Sequence, residues 1–288
     1  MLTSFLNGLI FLTVNGLVVF SSWCLANCLL RDSQSISLRV VASGILSFVH
    51  ATIVVLFLGT VVRSLNAWSV PLSSLLLSAA VIFFCRTCRR PFIQPAREAL
   101  AEIFSTRDYF LYAIAGLFII QVIVLLFKVV WLPPHIWDVF VYHLPPAVEW
   151  YQQGFIPPVI DTTVNRINGA PLGMTVLAYW FFIFFRNDFL VEMPMLLWAL
   201  LLVPVSFAVL RQSGVSRSWS FKFAVLIFFL PIVIMQANTV KDHLGLNVGF
   251  VAGLLFLAEF LKGGKQPLLL LAAAAFGLVL GYKIAAPI

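Results

Sequence analysis

The residues able to do chemistry gather in a few short stretches of an otherwise apolar chain. One is Trp137-Asp138-Val-Phe-Val-Tyr142-His143-Leu-Pro-Pro, and another is Thr239-Val-Lys241-Asp242-His243. Asp138 stands among aromatic and aliphatic neighbours, a setting that disfavours a charged carboxylate and suits a general base. A helix-capping or simply hydrated aspartate fits the same residues. Taken alone, Lys241-Asp242-His243 reads as an ordinary charged turn between two apolar runs. Arg166, in Thr163-Val-Asn-Arg166-Ile-Asn-Gly, could hold a phosphate by bidentate hydrogen bonds or anchor to lipid headgroups. Lys283 follows Gly277-Leu-Val-Leu-Gly281-Tyr, a small-residue spacing whose usual meaning is close helix packing. The cysteines Cys24, Cys28, Cys85 and Cys88 offer one C-x-x-C without the second ligand pair that zinc needs, so they read as structural.

The elements that position these groups must be membrane helices. Of 288 residues, 62% are apolar and 10% charged, against about 25% charged in a soluble domain. With 28 phenylalanines and a mean hydropathy of +1.04, the chain has more apolar surface than one globular core can bury. A soluble enzyme, a disordered chain and an ordinary nucleic-acid binder are excluded. The net charge of +7 then reports membrane orientation rather than affinity for nucleic acid. The expected fold is all-α and polytopic. Eight apolar runs have the length of spans: Phe5–Leu30, Val40–Val62, Ala67–Cys85, Tyr109–Val130, Phe189–Leu210, Phe221–Ala237, Leu244–Leu261 and Pro267–Tyr282. The first lacks a basic n-region and reads as a span, not a signal peptide.

A ninth run, Leu172–Phe185, is short, and the basic residues decide its reading. With eight spans, one side holds Arg31, Arg39, Arg86, Arg89, Arg90, Arg97, Arg107, Arg211, Arg217, Lys222, Lys262 and Lys265, which is 12 of 18. If Leu172–Phe185 also crossed, the split would be 10 against 8 of the same 18. The positive-inside rule favours eight spans, with Leu172–Phe185 lying along the outer interface. Residues 1–85 then form three N-terminal spans, and 86–108 a basic cytoplasmic linker with an interfacial helix near Pro95–Phe104. Residues 109–288 form a second unit with the long outer loop 131–188. In that loop Pro145-Pro146-Ala-Val-Glu-Trp-Tyr-Gln-Gln-Gly154 predicts a short helix, with proline at its start and glycine past its end. Trp131, Trp137, Trp150 and Tyr151 suit the bilayer interface.

Trp137-Asp-x-x-x-Tyr-His-Leu-Pro-x-Ala-x-x-Trp-x-x-x-Gly154 resembles the first outer loop of GT-C superfamily glycosyltransferases, which include protein O-mannosyltransferases and lipid A aminoarabinose transferases. Arg166 through Leu172, Thr239-Val-Lys241-Asp242 and Gly277-x-x-x-Gly281-Tyr-Lys283 keep the order of later family segments. The resemblance spans about Tyr109 to Ile288. It implies an enzyme that moves a sugar from a polyprenyl-phosphate donor to a hydroxyl of a lipid, glycan or protein acceptor at the outer membrane face, with inversion. It further implies Asp138 as catalytic base and Asp242 as second catalytic acid residue. Trp137, Tyr142, His143, Arg166, Lys241, His243 and Lys283 would bind substrate. The resemblance implies no definite cofactor and leaves a divalent metal open, with membrane lipids and not nucleic acid as partners. Relatives carry Asp-Glu where this chain has Asp138-Val139, and they continue through further spans, so the implied module is incomplete at its C-terminus. The alternative is a non-catalytic polytopic protein, flippase-like or scaffolding, that keeps the fold. A secondary transporter is the weakest reading, since Lys128 and Glu192 lie near span ends and no repeat is evident.

Overall fold

The computed structural model describes residues 2–31, 35–86, 108–169 and 171–283, with the side chains of 2–4, 165 and 166 outside the description. Every regular element described is helical: α1 (Leu2–Leu29), α2 (Ile36–Leu56, extended by a π-helical turn Phe57–Val62), α3 (Ser69–Phe84) and α4 (Tyr109–Trp131). A π-turn Val139–His143 leads into α5 (Leu144–Gln153), followed by α6 (Asn165–Gly169), α7 (Gly173–Phe185) and α8 (Met193–Gln212). The chain continues through α9 (Arg217–Phe228), α10 (Pro231–Gln236), α11 (His243–Gly263) and α12 (Gln266–Tyr282). The expected linker helix near Pro95–Phe104 lies outside the described residues.

Five helices are long and apolar enough to cross a bilayer: Phe5–Leu29, Ile36–Val62, Tyr109–Trp131, Met193–Gln212 and His243–Gly263. This is a polytopic helical membrane protein. Three of the eight expected spans differ. α3 and α12 have 16 and 17 residues, reaching about 24 and 26 Å at 1.5 Å per residue, short of a hydrocarbon core of about 30 Å. The run Phe221–Ala237 is broken rather than continuous. Leu230 is extended (φ −57°, ψ 130°) between α9 and α10, because the residue before Pro231 is pushed out of the helical region and Pro231 has no N–H to continue the ladder.

The helix ends sort into two rims. On one, Cys28 Sγ meets the Cys85 carbonyl at 3.9 Å, the Arg39 guanidinium donates to Leu30 O at 3.2 Å and Lys222 pairs with Asp108 at 2.5 Å. Gln212 donates to Glu259 on the same rim at 2.6 Å. That gathers the connections carrying Arg31, Arg39, Arg211, Arg217, Lys222, Lys262 and Lys265 on one rim. On the opposite rim Ile156 N donates to Gly59 O at 2.9 Å and Leu65 N to Gly154 O, and the Arg63 guanidinium lies 4.0 Å from the Phe155 ring centre. These contacts strap the α5 loop onto the far end of α2.

α7 occupies the centre of that second rim. Its first residue touches Gly281 at the end of α12, and its last turns meet Phe11 of α1 at ring separations of 5.4–6.0 Å. Phe11 is about 27 Å along α1 from Leu29 and Gly281 about 23 Å along α12 from Gln266. Both ends of α7 therefore lie at one end of the bundle, and the helix does not cross. It also differs from an interfacial helix, which keeps one polar, exposed face. Every residue from Met174 to Phe184 is buried, enclosed by α1, α2, α5, α8 and α12. A helix apolar all round needs cover on all sides.

The N-terminal helices are packed into the rest of the protein. Phe48 of α2 stacks on Trp198 of α8 at 4.1 Å, and Trp180 of α7 donates to Asn15 of α1 at 3.0 Å. The close packing expected at Gly277 and Gly281 is met at Gly281, whose backbone lies against Gly173 of α7, and not at Gly277, while α11 faces α12 with glycines of its own. A Cβ at Gly249 would meet Val279 at 2.9 Å and one at Gly253 would meet Phe276 at 2.6 Å, whereas one at Gly277 would meet nothing within 4 Å. Gly245, Gly249 and Gly253 form the small-residue stripe that brings α12 against α11.

Candidate functional site

Asp138 stands at the start of the π-turn Val139–His143. The turn inserts one residue, so Leu144 N donates to Val139 O five positions back, an arrangement frequent at functional sites. The Asp138 side chain makes no capping bond to the turn, so the helix-cap reading is not what is observed. Pro145 and Pro146 in the first turn of α5 cost no hydrogen bond, and Gly154 closes the helix at φ 75°, as the sequence predicts.

His143 fastens the turn to α7. It is 3% exposed, and its Nδ1 lies 3.1 Å from Thr175 Oγ1. Burial lowers its pKa to about 4, against the opposing pull of the Asp138 charge, so the imidazole is neutral near pH 7. His143, expected among substrate-binding groups, is buried here with its imidazole held by Thr175. Tyr142 packs at 4.5 Å from its ring. Trp137 is 61% exposed beside Asp138, in keeping with an interfacial tryptophan. Trp150, expected at the interface, is instead buried against Tyr179 with ring centres 6.0 Å apart, because α5 turns that face onto α7.

The second stretch arrives from the turn before α11. Thr239 is buried with its hydroxyl donating to Gln236 O at 3.0 Å, and Val240 is buried too, leaving Lys241 and Asp242 to face outward. Lys241 Nζ lies 3.9 Å from Asp138 Oδ2. Asp242 Oδ1 lies 3.8 Å from His243 Nδ1 and 3.9 Å from Lys283 Nζ. Lys283 Nζ is also 2.9 Å from His243 Nδ1. Lys283 is set in place by Tyr282, a buried residue whose hydroxyl accepts from Trp198 Nε1 at 3.1 Å.

Residues 138, 241–243 and 283 thus meet on one rim, joined into two acid–lysine pairs with a histidine beside the second. The four paired side chains are 20–37% exposed, and at 3.9 Å such pairs contribute only about 0–1 kcal/mol each. An incoming anion can therefore take either ammonium from its carboxylate at small cost. Lys241 and Lys283 set positive charge 3.9 Å from the two aspartates. Among the described residues no group of three or more metal-ligating side chains forms. Arg166 lies on α6, and its side chain is outside the description.

An apolar groove of about 620 Å³ runs between α2, the start of α7 and α12, with Thr52, Pro171, Gly173, Gly277, Gly281 and Tyr282, the residue before Lys283, in its walls. Thr175, Trp198 and Gly173 are site-building residues that sequence reasoning missed. Only Thr175 gave a signal, as the one side-chain hydroxyl in Leu172–Ala178. No family model, no curated protein and no solved structure matches this chain.

Proposed function

We propose that this protein is a GT-C-type membrane glycosyltransferase, or the donor-side part of one. It would transfer a sugar from a polyprenyl-phosphate carrier to an acceptor hydroxyl at the outer membrane face. The observation that carries the reading is the convergence of Asp138, Lys241, Asp242 and Lys283 on one rim, with Tyr282, the residue before Lys283, in the wall of the apolar groove. Such a groove is no better a solvent for an isoprenoid than the bilayer is, so it supplies orientation rather than affinity. Affinity comes from the phosphate, for which Lys283 directly follows Tyr282 in the groove wall.

In the proposed reaction the acceptor oxygen attacks the anomeric carbon and its proton passes to the Asp138 carboxylate. The bond from the anomeric carbon to the phosphate oxygen breaks on the opposite face, and the electron pair leaves with the phosphate. One carboxylate suffices, because the departing phosphate is stabilised by Lys283 and Lys241 rather than by protonation. Positive charge developing on the sugar ring is met by Asp242.

The test uses the full chain in proteoliposomes with a radiolabelled sugar–phosphate–polyprenol donor and simple hydroxyl acceptors. Asp138→Asn should lower transfer by about 10²–10⁴-fold, the range of a lost general base, while leaving donor retention intact. Lys283→Gln should weaken retention of a photo-crosslinkable polyprenyl phosphate. Transfer unaffected by Asp138→Asn would remove the catalytic assignment, and retention unaffected by Lys283→Gln would remove the donor site.

A further inference from the structure

The apolar groove between α2 and α12 is short. Its wall on α12 runs from Ala274 to Tyr282, and its wall on α2 from Val49 to Leu56. At 1.5 Å per residue these are about 12 and 10 Å, less than half of a hydrocarbon core of about 30 Å. Both helices run toward the rim that carries Lys283, so the groove occupies their outer part and stops at the middle of α12. Ile53 and Leu280 in its walls are each 53% exposed, which leaves the groove open sideways to the surroundings of the bundle.

Gly277 lies within the α12 wall, and its setting differs from that of the packing glycines. A helix interior disfavours glycine relative to alanine. At Gly173 and Gly249 a close neighbour requires it, since a Cβ would fall 2.5 Å from Gly281 O and 2.9 Å from Val279. At Gly277 a Cβ would meet nothing within 4 Å, although the residue lines the groove. What the missing side chain leaves open is therefore groove volume. Thr52 and Tyr282, the latter engaged with Trp198, are the polar side chains of the wall, so shape rather than hydrogen bonding selects what enters. Hydrocarbon is as well accommodated by lipid as by such a groove, and selection works by turning away what does not fit.

We infer that Gly277 sets the specificity of the donor site, by keeping the groove wide enough for the first, phosphate-proximal isoprene units of the carrier. The rest of the chain runs out into the bilayer past Ile53 and Leu280. The site thus reads the beginning of the carrier and not its length. The inference rests on the transferase reading for the identity of the lipid, with the phosphate at Lys283, next in sequence to Tyr282 of the wall.

The test measures retention of photo-crosslinkable polyprenyl phosphates by the full chain in proteoliposomes. Gly277→Leu should weaken retention at least about tenfold, the lower end of what a misfit of one methylene does in an apolar site. Gly277→Ala should weaken it less and keep the thermal midpoint of the wild type, so that a fold defect in the leucine variant does not hide the answer. Gly116→Leu, on α4, where a Cβ also meets nothing within 4 Å, should retain the lipid as the wild type does. Farnesyl phosphate and a long-chain polyprenyl phosphate, compared at equal membrane-bound concentration, should be retained equally. A loss in Gly116→Leu as large as in Gly277→Leu, or a clear preference for the long chain, overturns the inference. If Lys283→Gln weakens retention while both Gly277 variants leave it unchanged, this inference alone fails. Retention that Lys283→Gln also leaves unchanged removes the donor site itself, and with it the reading beneath.

Discussion

α4 and α7 are both strongly apolar helices, yet the molecule treats them oppositely. α4 has 23 residues, of which only Leu111, Ile114, Leu125 and Val129 are buried. Leu117, Ile119, Ile120 and Ile123 are 56–60% exposed, facing the hydrocarbon that its length matches. α7 has 13 residues and presents no lipid-facing side, with eleven consecutive residues buried from Met174 to Phe184. Hydropathy thus states only that a helix avoids water. Length, and what neighbouring helices offer, decides whether lipid or protein covers it.

Trp180→Ala should have the largest effect. It empties a buried site and strips Asn15 of its partner, costing about 4 kcal/mol in reversible detergent unfolding. An equal loss from Phe127→Ala in α4 would dissolve the contrast. Next comes the tie from the Asp138 turn to α7. His143 has a folded pKa of about 4 against 6.5 in the unfolded chain, so the stability it gives is full above pH 6.5. It is lost as pH falls from 6.5 toward 4, because the unfolded chain takes up the proton first. The difference is worth about 3 kcal/mol. His143→Asn, which keeps a group near Nδ1 but does not titrate, should flatten the acid limb of the stability profile by that amount.

Gly173→Ala should cost about 2 kcal/mol, because its Cβ would fall 2.5 Å from the backbone oxygen of Gly281. Gly281→Ala meets only Gly173 Cα, at 3.7 Å, and should be tolerated. Thermal midpoints of the two variants, measured side by side, check this asymmetry. Ile120→Ala in α4 should change stability by less than about 0.5 kcal/mol. A larger change would mean that α4 has a protein partner and not lipid on that face.

Much of the plan was legible because it is local. Pro145 and Gly154 bound α5 by backbone chemistry alone, and the long runs announce spans by length. Seven of the basic residues gather on one rim of the described helices, because charge is excluded from hydrocarbon wherever it occurs. Asp138, Asp242 and Lys283 are each readable as candidates, but their meeting is not, since Lys241 and Asp138 are brought together only by the folding of the six helices between them. The break before Pro231 was visible in the residue type yet overruled by hydropathy averaged across it. Trp150 carries the composition of an interfacial residue, and only the α7 face beneath it makes it a core residue. Gly277 and Gly281 share one spacing signal, yet only Gly281 meets a neighbouring backbone, because spacing does not reveal which side of a helix has a neighbour.

The bond from Trp180 to Asn15 spans 165 residues of chain. At about 5–20 residues per second of synthesis, α1 is made roughly 8–30 s before the helix that covers it. Through that interval the Asn15 amide keeps only its own-turn bond to Phe11 O. The waiting faces of α1 and α2 must be lodged against lipid or an insertion chaperone. The order of manufacture is therefore the reverse of the order of need, and the rim that joins Asp138 to Lys283 can close only after α12 has been made.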